Sequence, residues 1–180
     1  MKDNLWIEII PVDQISTDLN KQIDALDHLA FSGEQHSDPE LNSIKWSSHD
    51  WMALGYLDTE LVTQLCLLKR EVIVGQERVW VTGIGGVATH PDWQGRGLAS
   101  QLLRASQTFI DTEICTPFGL LICADKTQSV YARCGWQMVA KSLMFVQDGR
   151  RRTLDTCVMI LPLTDQPWSA GEIDLDGLPW

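Results

Sequence analysis

Two hydrophobic periods alternate along this chain. "LWIEIIPV" (5–12) is a short apolar run bounded by polar residues and reads as a first strand. Residues 16–31 switch to helical spacing: Ile23, Leu26, Leu29 and Ala30 recur on one face, with Ser16 or Thr17 placed to cap it. Residues 33–49 are polar and rich in turn formers, which suits a loop or short helix. "DWMALGYLD" (50–58) and "ELVTQLCLLKREVIVG" (60–75) read as two strands turning at Asp58-Thr59. "RVWVTGIGGVATH" (78–90) is a further strand. Its glycines at 83, 85 and 86 would weaken an ordinary strand and call for a bulge or a close backbone approach. Residues 97–113 return to the helical period, with Leu98, Leu102, Ala105 and Phe109 on one face. "GLLICA" (119–124) has the unbroken apolar character of a buried parallel strand. Residues 126–134 form a short helix ended by Gly135. "WQMVAKSLMFVQ" (136–147) and "TLDTCVMILPL" (153–163) read as a closing antiparallel pair, and residues 164–180 as a turn-rich acidic tail.

That order predicts an α/β (α+β) fold: a mixed, mostly antiparallel sheet with at least one parallel crossover and flanking helices. With 180 residues, 44% of them hydrophobic, one domain with a full core is expected. The formal charge of −10 argues against general nucleic-acid binding, and Arg150-Arg151-Arg152 reads as a solvated turn. No run reaches the roughly 18 apolar residues of a membrane span, and the N-terminus lacks the pattern of a signal peptide. Five cysteines with no C-x-x-C read as free thiols in a reducing cytoplasm. The four histidines show no metal-ligand spacing, so no metal is expected.

The chemistry concentrates in "QGRGLA", Gln94 to Ala99, between a strand and a helix. Glycines there let successive N–H groups turn toward one point. The helix N-terminus adds partial positive charge, and Arg96 a full one. Gly97 and Ala99 keep the helix start small enough for a diphosphate to approach the backbone. The pattern is neither a Walker loop nor G-x-G-x-x-G.

With the "GVATHP" strand before it, Q-x-x-G-x-A resembles the acetyl-CoA motif of the Gcn5-related N-acetyltransferase (GNAT) superfamily, Arg/Gln-x-x-Gly-x-Gly/Ala. "SVYARCGW" (129–136) is similar to that superfamily's helix carrying a tyrosine and ending at Gly-aromatic. The resemblance implies a GNAT-like sheet with a splayed parallel strand pair. It also implies acetyl-CoA as cosubstrate, a primary amine as acceptor, and a homodimer as one assembly. Val87, Ala88 and Thr89 would hold the pantetheine arm, and Gln94, Gly95, Arg96, Gly97, Leu98 and Ala99 the diphosphate. A backbone N–H near Gly86 or Val87 would face the oxyanion. Tyr131 would protonate the departing thiolate; its plain alternative is packing between helix and sheet.

A narrower resemblance, to aminoglycoside 2′-N-acetyltransferases, rests on "GIGGVAT", "VYARCGW", "MILPL" and the terminal "GLPW". Here the sequence departs from the pattern. The strand glutamate expected as base falls on Gly85, and the acidic residue near the final tryptophan falls on Leu178. Protons could instead reach His90, or pass by water to Glu34, Asp38, Asp176 or the terminal carboxylate. His90, lying before Pro91, is expected at the surface. The acids of 11–40 and of the tail, in the resembled fold, flank the acceptor. They suggest that Glu34, Asp38, Asp176 and Trp180 bind a small cationic amine, an aminoglycoside being one candidate. Trp180 reads first as a docked apolar anchor. A different class of function, a non-catalytic acyl-CoA sensor on the same fold, is favoured by the absence of a carboxylate at Gly85.

Overall fold

A computed structural model describes residues 5–31 and 43–180. The elements are β1 (Trp6–Pro11), α1 (Thr17–Phe31), β2 (Trp51–Leu57), β3 (Glu60–Val74), β4 (Glu77–Thr89), α2 (Leu98–Phe109), β5 (Phe118–Cys123), α3 (Gln128–Ala132), β6 (Gln137–Gln147), β7 (Arg150–Pro162) and β8 (Ile173–Asp174). They form one mixed sheet in the order β1-β2-β3-β4-β5-β7-β6-β8. All neighbours run antiparallel except β4–β5 and the single β6–β8 bridge. This is the α+β architecture that the periodicity predicts.

Alternation along the strands sorts the core. On β2, Ala53 faces α2, packing with Leu102 and Leu103, while Met52 and Leu54 face Ile23 and Leu26 of α1. The two helices therefore cover opposite faces. Gly83 and Gly85 lie on the α1 side, and Ile84 on the α2 side.

Three features depart from expectation. Helix α2 ends at Phe109 and is continued by one π turn, Ile110–Ile114. The arginines 150–152 open β7 rather than forming a turn; the turn is Asp148-Gly149, both at positive φ. Arg151 Nε bonds Asp174 Oδ2 at 2.7 Å, and Arg152 lies over the Phe145 ring.

The largest departure is the tail. Two residues of β8 pair with both β3 (Val74↔Ile173) and β6 (Met144↔Asp174), so the C-terminal half of the sheet closes on itself. Inside it lie Val81, Phe118, Phe145, Val158, Leu175 and Trp180. The tail is built in, not a solvated fringe.

Candidate active site

Parallel strands β4 and β5 pair over only four positions, Val81↔Phe118 to Ile84↔Leu121. Beyond Ile84, β4 runs on to Thr89 with β3 as its sole strand partner. The two strands splay there, because β4 is diverted by a bulge. Gln64 of β3 stands opposite Ala88 and Cys66 opposite Gly85, which leaves one extra residue on β4. Gly86 takes it up with φ +55, a left-handed conformation that L side chains resist.

The strand then leads into the glycine loop. His90 N–H bonds Val62 O, Pro91–Trp93 makes one tight turn, and Gln94 Nε2 donates to Thr89 O at 3.1 Å. Gly95 and Gly97 have φ of +76 and +78. A Cβ added at either would meet nothing within 4 Å. Gly97 is the N-cap of α2 and offers no side chain to its first turn. Unsatisfied N–H groups and the positive end of the helix dipole therefore face open space. Arg96 stands beside them with its guanidinium 4.5 Å from the Trp93 ring centroid. Leu98, 1% exposed, anchors the turn into the core. An exposed nest of donors at a helix start is a site for a polyanion.

On the α2 face of the splay, Val87 and Tyr131 pack against the same apolar cluster, with Leu102, Leu103 and Trp136. Val87 to Ala99 and Tyr131 are thus brought to one end of the sheet. Ala88 is buried, its carbonyl taken by Thr63 Oγ1, and the Thr89 hydroxyl is 3.0 Å from the same Thr63 oxygen. Burial, and then the neighbouring Cys123 and Cys134 thiols, push the Tyr131 phenol up from its usual value. It stays protonated at any working pH, as a donor requires.

On the opposite face the expected acceptor residues part company. Trp180 reaches the bulge. Its indole fills the space that a Gly83 side chain would need, and Nε1 is 3.4 Å from Leu120 O. Its main-chain carboxyl carbon, the terminal group named above, lies 2.7 Å from where a Gly85 Cβ would stand, so no carboxylate-bearing residue fits at 85. Asp176 does not reach the bulge. It is held 3.4 Å from Arg78, which opens β4 seven residues before Gly85. Glu34 and Asp38 lie outside the described residues. His90, expected at the surface, has a side chain only 21% exposed. Its Nδ1 accepts the Asp92 N–H, which makes it a cap for the turn rather than a free base. Cys66 Sγ would stand 3.3 Å from a Gly85 Cβ. Burial pushes that thiol up to about 11, so it is protonated and a poor nucleophile. Among the described residues no group of three or more His, Cys, Asp or Glu gathers to hold a metal, and no helix is long and apolar enough to cross a membrane.

Residues 12–139 match the family described as an acetyltransferase (GNAT) domain. Comparison with curated proteins finds no match. Solved structures similar to this protein include Escherichia coli ElaA (TM-score 0.61, 17% identity, covering 87% of this protein and 99% of that one). An acyl-CoA N-acyltransferase from Pseudomonas aeruginosa is also similar (TM-score 0.59, 19% identity, 88% and 99% covered). A third is a GCN5-related N-acetyltransferase from Anabaena variabilis (TM-score 0.58, 21% identity, 77% of this protein but 34% of that one). At these identities the likeness is one of fold.

Proposed function

This chain belongs to the GNAT acetyltransferase family, and from that premise we propose that it moves the acetyl group of acetyl-CoA onto a primary amine of a small cationic acceptor. One observation carries the reading: an uncapped helix start with two open, left-handed glycines, fed by a strand that has just parted from its parallel neighbour. Donors from Gln94 to Ala99 suit the diphosphate, and Arg96 adds charge. The free edge of Val87 to Thr89 suits the amide-bearing pantetheine arm. That arm would direct the thioester to the Gly86 bulge, where a backbone N–H can face the developing oxyanion. The amine nitrogen bonds the carbonyl carbon, the C–S bond breaks, and the sulfur takes a proton from Tyr131.

Tyr131→Phe should therefore lower kcat more than about tenfold while leaving the acetyl-CoA Kd within about twofold, since the lost group acts in the transition state. Steady-state kinetics with calorimetric titration checks this. Equal turnover would leave Tyr131 with packing alone.

The net charge of −10 supports a cationic acceptor through long-range attraction. The tail's own acids contribute less than their number suggests, because Asp174 pairs with Arg151 and Asp176 with Arg78. Raising ionic strength from about 0.05 to 0.5 M should raise the acceptor KM several-fold. The deciding assay is release of free CoA thiol from acetyl-CoA with spermidine, tobramycin and a peptide with a free N-terminus. Release with a cationic amine supports the reading, an aminosugar being one candidate class. Acetyl-CoA binding with no release on any amine overturns it in favour of a sensor.

A further inference from the structure

With Gly85 unable to carry a carboxylate, the acceptor amine still has to lose a proton. The surroundings of the bulge supply a group that neither motif nor periodicity singles out. Gln64 and Cys66 of β3 bracket the bulge, opposite Ala88 and Gly85, and both side chains face α1. Gln64 is 2% exposed. Its Nε2 donates to Ile23 O at 3.3 Å, and its Oε1 is buried without a partner. A buried amide oxygen left unbonded in a polar setting is costly unless a ligand or solvent N–H or O–H reaches it. Ile23 O is also the carbonyl that the N–H of residue 27 meets in a helix, so the Gln64 amide sits beside Asp27, one turn on.

We propose that Asp27, backed by Gln64, is the proton acceptor for the amine, doing from α1 what no side chain at position 85 can do. This rests on the acetyl-transfer reading above. The ammonium gives one proton to the Asp27 carboxylate, directly or through one water, and its freed lone pair forms the N–C bond. Tyr131 protonates the sulfur and recovers the second proton shed by the new amide nitrogen. Asp27 then returns its proton to solvent, to which it is open. Gln64 Oε1 accepts a hydrogen bond from the amine or the relay water, and so positions it.

The electrostatics agree. Burial against β3 pushes the Asp27 carboxyl up from its usual value, while the Gln64 hydrogen bond pulls it down and Asp24 pushes it up. The geometric link from Asp27 to the bulge is Gln64, two residues from Cys66 on the same face of β3, and the Asp27 charge adds slightly to the upward push on the Cys66 thiol. Among the described residues, the titratable side chains facing Asp27 are Asp24 on its own helix and Cys66 on β3. Across β3, β4 brings Gly85, Gly86 and Ala88 to the bulge, with the carboxyl end of Trp180 lying beside Gly85.

The test compares wild type, Asp27→Asn and Asp24→Asn in the CoA-release assay, with the best of the three named amines, from pH 6 to 9.5. Asp27→Asn should lose about 100-fold in kcat/KM at pH 7 and keep its acetyl-CoA Kd and melting temperature. The deficit should shrink to within about tenfold near pH 9.5, where solvent supplies free amine. Asp24→Asn should stay within about threefold of wild type at every pH, its one effect being a small downward move of the Asp27 carboxyl as a neighbouring negative charge is lost. Gln64→Met, close in volume, should lose about tenfold, mainly through the acceptor KM. An Asp27→Asn variant within threefold of wild type at pH 7, or one with the same deficit at every pH, overturns the proposal while wild-type turnover leaves the function intact. No wild-type turnover on any amine would overturn both.

Discussion

Gly97→Glu is expected to remain folded and to lose acetyl-CoA binding, with Kd rising at least about 100-fold, or roughly 2.8 kcal/mol. Space does not oppose the substitution: nothing lies within 4 Å of a Cβ at 97. The left-handed φ of +78 costs a non-glycine residue on the order of 1–2 kcal/mol, a fraction of a typical 5–15 kcal/mol. A carboxylate at this N-cap also complements the helix dipole and recovers part of that cost. The same favourable contact is what removes ligand, since the N–H groups that would meet a diphosphate now face an attached anion. Gly97→Ala is the control. It carries the backbone strain without the charge and should lose only a few-fold. Calorimetric titration with acetyl-CoA beside a thermal melt separates the two effects. A folded Gly97→Glu variant with unchanged affinity would remove this loop from the site.

This loop was legible in the sequence because its chemistry is local. Positive φ at 95 and 97, a strand before and a helix after are all encoded within about ten residues, so the period and the glycines sufficed. The same holds for β1 to β7, whose periods reproduce the sheet. The acceptor face was not legible, because it is assembled across the chain. Asp27 looks like any exposed helix acid, and only the buried Gln64 of β3 distinguishes it. Asp174 and Asp176 look solvated until their partners, Arg151 and Arg78, come across the fold. One signal was available: glycines at 83 and 85 fall on the same face of a strand, which asks for a bulky neighbour above them, and a tryptophan stood unplaced at 180.

That neighbour leads to the second large effect. Deleting residues 174–180, and with them the expected acceptor residues Asp176 and Trp180, should abolish cooperative folding rather than weaken acceptor binding alone. The deletion removes Leu175 and Trp180, 1% and 6% exposed, from the closed half of the sheet. Loss of Trp180 alone, as Trp180→Ala, should cost about 3–5 kcal/mol. Further losses are the hydrogen bonds from Arg70 Nη1 to Leu178 O (2.6 Å), from Ser47 N to Pro179 O (2.7 Å) and from Val146 N to Gly177 O (3.0 Å). Arg70, half-buried and stacked 5.3 Å from the Trp180 ring centroid, would keep its bond to Ser47 Oγ but lose the ring, the Leu178 carbonyl and the Asp176 charge. The sum approaches the whole stability of a domain this size. Trp180→Ala should melt roughly 10 °C or more below wild type, and the deletion should show no transition. Because Gly83 exists to admit the indole, Gly83→Ala should destabilise the wild type yet cost much less in a Trp180→Leu background. Thermal and urea melts of the four proteins give a coupling energy, expected above about 1 kcal/mol. Additive effects would separate Gly83 from Trp180, and a deletion variant melting within a few degrees of wild type would return the tail to the surface.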